Sequence, residues 1–165
     1  EGVLAGGVGQ VIVTGQPQCY QAAGGKAATS HARGVDIKLR RVGAQELDRA
    51  RAVEPHLDPF KAPESWLDSG GGHGHFCLAA SELFPSTSFE VLDLSEAPKD
   101  AARRGWAKEG HCATLPDFAK ETERRYDVIS LSHCLEHVPD PKEELEAAAH
   151  RRRSLFLTTL LRSSV

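Results

Sequence analysis

The chain has 165 residues, 40% hydrophobic and 26% charged, with a formal net charge of −3. That length suits one compact domain with one core, and the balance is ordinary for a globular protein. There is no strongly basic face of the kind nucleic-acid binding needs, no apolar run near the roughly 18 residues of a membrane span, and no charged-then-apolar leader. Neither nucleic acid nor membrane is therefore expected as a partner. The basic clusters Arg103-Arg104, Arg124-Arg125 and Arg151-Arg152-Arg153 are flanked by acids or lie near helix ends, and read as solvated surface. Cys19, Cys77, Cys112 and Cys134 show no paired spacing, which points to free thiols and a reduced, cytoplasmic setting.

Residues 1–40 are rich in glycine, alanine and glutamine, and only Val11-Ile12-Val13 resembles a strand. An irregular, mobile segment is expected there, with the folded domain over residues 41–165. Ala44 to Val53 reads as a helix with Leu47 and Val53 on its apolar side, and Pro55, Pro59 and Pro63 then break regularity. Trp66-Leu67-Asp68 is a short apolar run ending in an acid. The glycine-rich loop Ser69-Gly70-Gly71-Gly72-His73-Gly74 follows, and then a helical run from Phe76 to Leu83. A second strand, Ser88-Phe89-Glu90-Val91-Leu92-Asp93-Leu94-Ser95, again ends in an acid. A helix is expected over Ala97 to Glu109, a short strand over Cys112-Ala113-Thr114-Leu115, and a buried strand over Tyr126 to Ser132. Asp140, Pro141 and Glu143 have the pattern of N-cap, first helical position and capping-box acid for a helix from Pro141 to His150. Leu155 to Leu160 reads as one more strand.

Strands alternating with helices point to a parallel sheet with right-handed crossovers, an α/β doubly wound fold. Counting from Ser65, the expected spatial order is 3-2-1-4, with Leu155 to Leu160 as a fifth strand and an unpaired edge open to self-association. Glycines at a strand-to-helix turn let the backbone turn with φ > 0 and leave no Cβ between loop and ligand, so a nucleotide-like molecule is the expected occupant. A dinucleotide loop of the form G-x-G-x-x-G fits less well, because starting at Gly72 places Cys77 where the third small residue belongs.

The D-x-G-x-G-x-G pattern at Asp68, Gly70, Gly72 and Gly74, the strand ending at Asp93, and the segment Leu135-Glu136-His137-Val138-Pro139-Asp140-Pro141 occur in this order. Together they resemble the class I S-adenosylmethionine-dependent methyltransferases of small-molecule type, over about Ser65 to His150. The resemblance implies a Rossmann-like methyltransferase fold, S-adenosyl-L-methionine as cofactor and a small organic methyl acceptor. It implies Asp68 at the amino end of the cofactor, with Gly70, Gly72 and Gly74 supplying room and backbone donors. Asp93 would take the ribose hydroxyls, Leu94 would pack on the adenine face, and Asp117 and Phe118 would close the adenine end. His133, after the fourth expected strand, is the candidate base for an attacking hydroxyl or amine. No Cys/His set has the spacing of a structural zinc site, so no metal is expected. The family usually has seven strands, and Arg151-Arg152-Arg153-Ser154 stands where relatives carry a Pro-Gly-Gly turn. A domain truncated after the fifth strand, weak or inactive, is the resulting expectation, with a non-catalytic or degenerate nucleotide-binding domain as the alternative.

Overall fold

A computed structural model describes residues 11–13, 43–58 and 61–158, of which 11–13 and 152–158 enter through their backbone only. Its centre is a six-stranded, all-parallel sheet. The strands are β1 (Val11–Val13), β2 (Ser65–Ser69), β3 (Ser88–Asp93), β4 (Glu109–Cys112), β5 (Tyr126–Ser132) and β6 (Arg152–Thr158), in the order β1-β6-β5-β2-β3-β4. Helix α1 covers residues 43–53 and runs into a short 3-10 turn, Glu54–His56. It is followed by α2 (His75–Leu83), α3 (Ala97–Arg103), α4 (Leu115–Glu121) and α5 (Pro141–Arg151).

Side chains alternate across the strands, and both faces of the sheet are covered. On one face Trp66, Phe89, Val91 and Val128 pack with Ala50 and Val53 of α1, Phe76, Cys77 and Ala80 of α2, and Ala101 of α3. Trp66 is fully buried among Phe76, Phe84 and Phe89, with ring centroids 5.5, 5.6 and 5.6 Å away. On the other face Leu67, Leu92, Ile129 and Leu131 pack with Leu115, Phe118 and Ala119 of α4 and Ala147 and Ala148 of α5. The doubly wound α/β fold is thus present, and the central order β4-β3-β2-β5 is the expected 3-2-1-4.

Four expectations need correction. β4 lies over Glu109–Cys112, three residues earlier than expected, because Thr114 is the N-cap of α4: its Oγ1 accepts from the Asp117 N–H at 3.1 Å. α3 stops at Arg103 and not at Glu109, with Gly105 at φ 72° just beyond its C-cap. β6 is not an unpaired edge, since it pairs with β5 on one side and β1 on the other. Val11–Val13 therefore contributes a strand to the sheet, although it lies in the segment placed outside the domain. The rest of the irregular segment expected over residues 1–40, and residues 159–165, lie outside the described residues. Among the described residues no helix is long and apolar enough to cross a membrane.

Candidate cofactor site at the carboxyl ends of the strands

β2 has β3 on one side and β5 on the other, and the connections leaving the carboxyl ends of β2 and β5 run in opposite directions, toward β3 and β6. Ligands of open parallel sheets bind at such a switch point. A cavity of about 270 Å³ lies there, lined from β2 by Ser69 and Gly70, from β3 by Leu92, Asp93 and Leu94, and beyond β4 by Ala113, Thr114 and Leu115. The connection after β5 closes it with His133, Cys134, His137, Val138 and Pro139, and α5 adds Glu144.

The glycine loop is built by close approach on both flanks. Gly70 has φ 76°, and a Cβ there would stand 3.0 Å from both Cβ and Sγ of Cys134. Gly74, the N-cap of α2 at φ 74°, would place a Cβ 2.7 Å from the Ala101 Cβ of α3. The loop's N–H groups are largely engaged within the protein. Gly70 and Gly71 both donate to the Leu92 carbonyl at 2.8 and 3.2 Å, and Gly74 donates to the Gly71 carbonyl at 2.9 Å. The expectation that these glycines offer backbone donors is corrected on that point: they supply room, and the donors hold the loop to β3.

Asp93 is the best-prepared polar group of the cavity. Its Oδ2 accepts from the Gly72 N–H at 3.2 Å and its Oδ1 from the Ser95 N–H at 2.8 Å. Partial burial works to raise its pKa, but the hydrogen bonds from Ser95 and Gly72 outweigh this and hold it below the usual carboxylate value. Each oxygen keeps lone-pair capacity for a further donor. Leu94, beside it, is 77% exposed and lines the same cavity.

Asp68 stands differently from its expected place. It is 2% exposed and sealed beneath the loop, where its Oδ2 lies 2.5 Å from the position a Gly71 Cβ would take. It lines no part of this cavity. Its Oδ1 accepts from Ser130 Oγ at 2.6 Å, and Ser130 in turn accepts from Trp66 Nε1 at 2.9 Å. Burial pushes its pKa from 3.8 to about 7, and the Ser130 hydrogen bond offsets only part of that rise.

The remaining expected site residues divide. Asp117 and Phe118 are not brought to the cavity. Asp117 is held in the first turn of α4 by Thr114 Oγ1, which donates to its carboxylate at 2.8 Å. Phe118 is turned into the core against His111 and Tyr126, at centroid distances of 4.6 and 6.5 Å. His133 does line the cavity, and it is the one described non-glycine residue with positive φ, 52°. A non-glycine residue there costs about 1–3 kcal/mol and is tolerated where the surroundings fix it. Its Nδ1 is buried without a hydrogen bond, 3.5 Å from Glu136 Oε1.

Among the cavity residues not anticipated from the sequence are the polar Ser69, Thr114, His137 and Glu144. Only Glu144 left a signal, a carboxylate in a helical stripe otherwise made of alanine. Outside the cavity, Glu90, Glu109 and His111 come close enough together to suit a metal ion. Arg124 already supplies the cation there, donating to Glu90 at 3.1 Å and to Glu109 at 2.9 Å, while Tyr126 donates to Glu90 at 2.8 Å.

Comparison with known proteins bears on the family and the fold. A family model described as a methyltransferase domain matches residues 38–164. The chain belongs to that methyltransferase family. A ubiquinone biosynthesis O-methyltransferase of Saccharophagus degradans is 28% identical over 146 residues, covering 76% of this chain and 61% of that protein. The enzyme of the same name from Pseudomonas savastanoi is 33% identical over 86 residues, 49% of this chain and 36% of that protein. The chain thus spans less than two thirds of the length of these curated relatives. Among solved structures, the plantazolicin methyltransferase BpumL in complex with a monoazolic desmethylPZN analog and SAH is 23% identical. It superposes with a TM-score of 0.57 over 73% of this chain and 48% of its own. A sugar N-methyltransferase from Streptoalloteichus reaches a TM-score of 0.55 at 22% identity, over 83% of this chain and 55% of its own. At these identities the structural likeness speaks for the methyltransferase fold.

Proposed function

We propose that the cavity binds S-adenosylmethionine and that the protein methylates a hydroxyl group of a small organic acceptor. The observation that carries this is Asp93, a carboxylate ionised and aimed by two backbone N–H groups at the tip of β3, beside a glycine turn at the switch point. The residues fit the cofactor: Asp93 takes the two ribose hydroxyls, exposed Leu94 covers one face of the adenine, and Gly70 and Gly72 leave the backbone open to close approach. Asp68 acts from beneath the loop, as a buried carboxylate whose ionisation a cation above Gly71 would favour. S-adenosylmethionine supplies an electrophilic methyl group when bound. The chain's part is alignment and exclusion of water, with His133 placed to take a proton from the acceptor hydroxyl. Its Nδ1 lies toward Glu136, which leaves Nε2 for that proton.

Oxygen as the receiving atom is supported by the names of the curated relatives, which are O-methyltransferases. Free thiols at Cys77, Cys112 and Cys134 suit a reducing, cytoplasmic setting. Calorimetric titration with S-adenosylhomocysteine and, separately, NAD tests the cofactor. The homocysteine compound should bind, NAD should bind more weakly, and Asp93→Ala should lower affinity at least about tenfold, because hydrogen bonds to a charged acceptor are lost. NAD binding as tightly would overturn the proposal, as would full affinity in the Asp93 variant.

A further inference from the structure

Among the described residues, the buried side-chain atoms without a hydrogen-bond partner are Arg49 Nε, Ser132 Oγ, His133 Nδ1 and Glu144 Oε2. Glu144 is the one carboxylate among them. It is 6% exposed in the first turn of α5, on the stripe that also buries Ala147 and Ala148. An apolar side chain would suit that stripe, whereas a carboxylate loses its hydration and gains no partner in return. Burial, with Glu143 and Asp117 nearby, pushes its pKa up. Folding is thus better served without Glu144, and the residue lines the cavity. A donor on a ligand in the cavity is the partner that this carboxylate lacks.

The surroundings narrow the ligand group. Leu92, Leu115, Val138 and Pro139 line the cavity along with Glu144, so the slot is largely apolar. Such a slot with a buried carboxylate in its wall suits a flat ring carrying an N–H donor. We infer that Glu144 accepts a hydrogen bond from the exocyclic amino group of the cofactor's adenine, so that it reads the base while Asp93 reads the ribose. This rests on the S-adenosylmethionine reading of the cavity. Glu144 is then a specificity residue for the base, contributed by a helix that the glycine motif does not include.

The test compares S-adenosylhomocysteine with its analogue bearing hydrogen in place of the 6-amino group, titrated into the unmodified chain, Glu144→Leu and Glu144→Gln. The unmodified chain should prefer the amino compound by about tenfold or more, the worth of one hydrogen bond to a buried charged acceptor. In Glu144→Leu the preference should vanish while the ligand-free melting temperature stays level or rises. A merely structural glutamate would instead lower the melting temperature and leave the preference alone. Should the Leu variant not fold, Glu144→Gln decides: its preference must fall below that of the unmodified chain, and an unchanged preference overturns the inference. If S-adenosylhomocysteine does not bind the unmodified chain, the cofactor reading fails and takes this one with it. If it binds with no preference for the amino group, Glu144 alone has been misassigned.

Discussion

Asp68 and Asp93 each follow a short apolar run in the sequence, and neither run says what will cover the carboxylate. The structure separates them by what covers each. Asp93 receives two backbone N–H groups and stays below the usual pKa, while Asp68 is buried with one hydroxyl donor and rises to about 7. A folded-state pKa raised above the unfolded value means that the native state holds the proton more tightly between the two. The Asp68 contribution is therefore best below about pH 4 and is lost as pH rises through 7, by roughly 4 kcal/mol for a shift of this size. Asp68→Asn keeps an acceptor for Ser130 and has no charge to bury. Its ligand-free melting temperature should exceed that of the unmodified chain at pH 8, with the difference shrinking toward pH 4. Melting curves across that range decide the matter, and two parallel pH profiles would show that Asp68 is not the group responsible. The motif singled out Asp68, but it carried no information on whether the carboxylate faces the cavity or lies beneath the loop.

At the level of elements, the buried strands were legible because their apolar runs are continuous, as expected where both faces are covered. Trp66-Leu67, Val91-Leu92 and Val128-Ile129 each send one side chain to either core. β4 was misplaced for a physical reason. Its residues Glu109, Gly110 and His111 are polar or small, and two of them join the Glu90–Arg124 network and not the apolar core. Local pattern cannot report a strand whose place is set by a salt-bridged neighbour and by close backbone packing. Gly110 shows the packing most directly, since a Cβ there would stand 2.0 Å from the Pro98 carbonyl oxygen at the start of α3. Gly110→Ala must push α3 and β4 apart and should cost about 1–3 kcal/mol or more, as overpacking does. Gly105→Ala meets no atom within 4 Å and bears only the strain of φ 72°, so it should cost about 1–2 kcal/mol. Denaturant titration of the two variants should rank Gly110→Ala as the less stable. The reverse order would mean that the α3–β4 junction yields more easily than its geometry implies.

On the scale of the whole molecule, the two ends of the sheet serve different purposes. The cavity draws on β2, β3, α5 and the segments after β4 and β5, whereas β1 touches the sheet only through β6. Chain order hides this arrangement, because the first strand completes the sheet beside the last. Val11↔Leu155, Ile12↔Phe156 and Val13↔Leu157 are parallel partners between residues more than a hundred positions apart. The sequence pattern of Val11-Ile12-Val13 was readable as a strand, but its partner was not, and Leu155 to Leu160 was consequently expected to be an exposed edge. Removing residues 1–13 would create that edge, a row of unpaired N–H and C=O groups along an apolar strand. The shortened chain should self-associate at micromolar concentrations, seen as a concentration-dependent rise in mass by light scattering. Its affinity for S-adenosylhomocysteine should remain within a fewfold of the full chain, because the described lining residues come from β2, β3, α5 and the segments after β4 and β5. A monodisperse shortened chain would show that β6 does not need β1 to protect it. Loss of ligand binding in a chain that stays folded would show instead that the amino-terminal strand supports the site through β6 and β5.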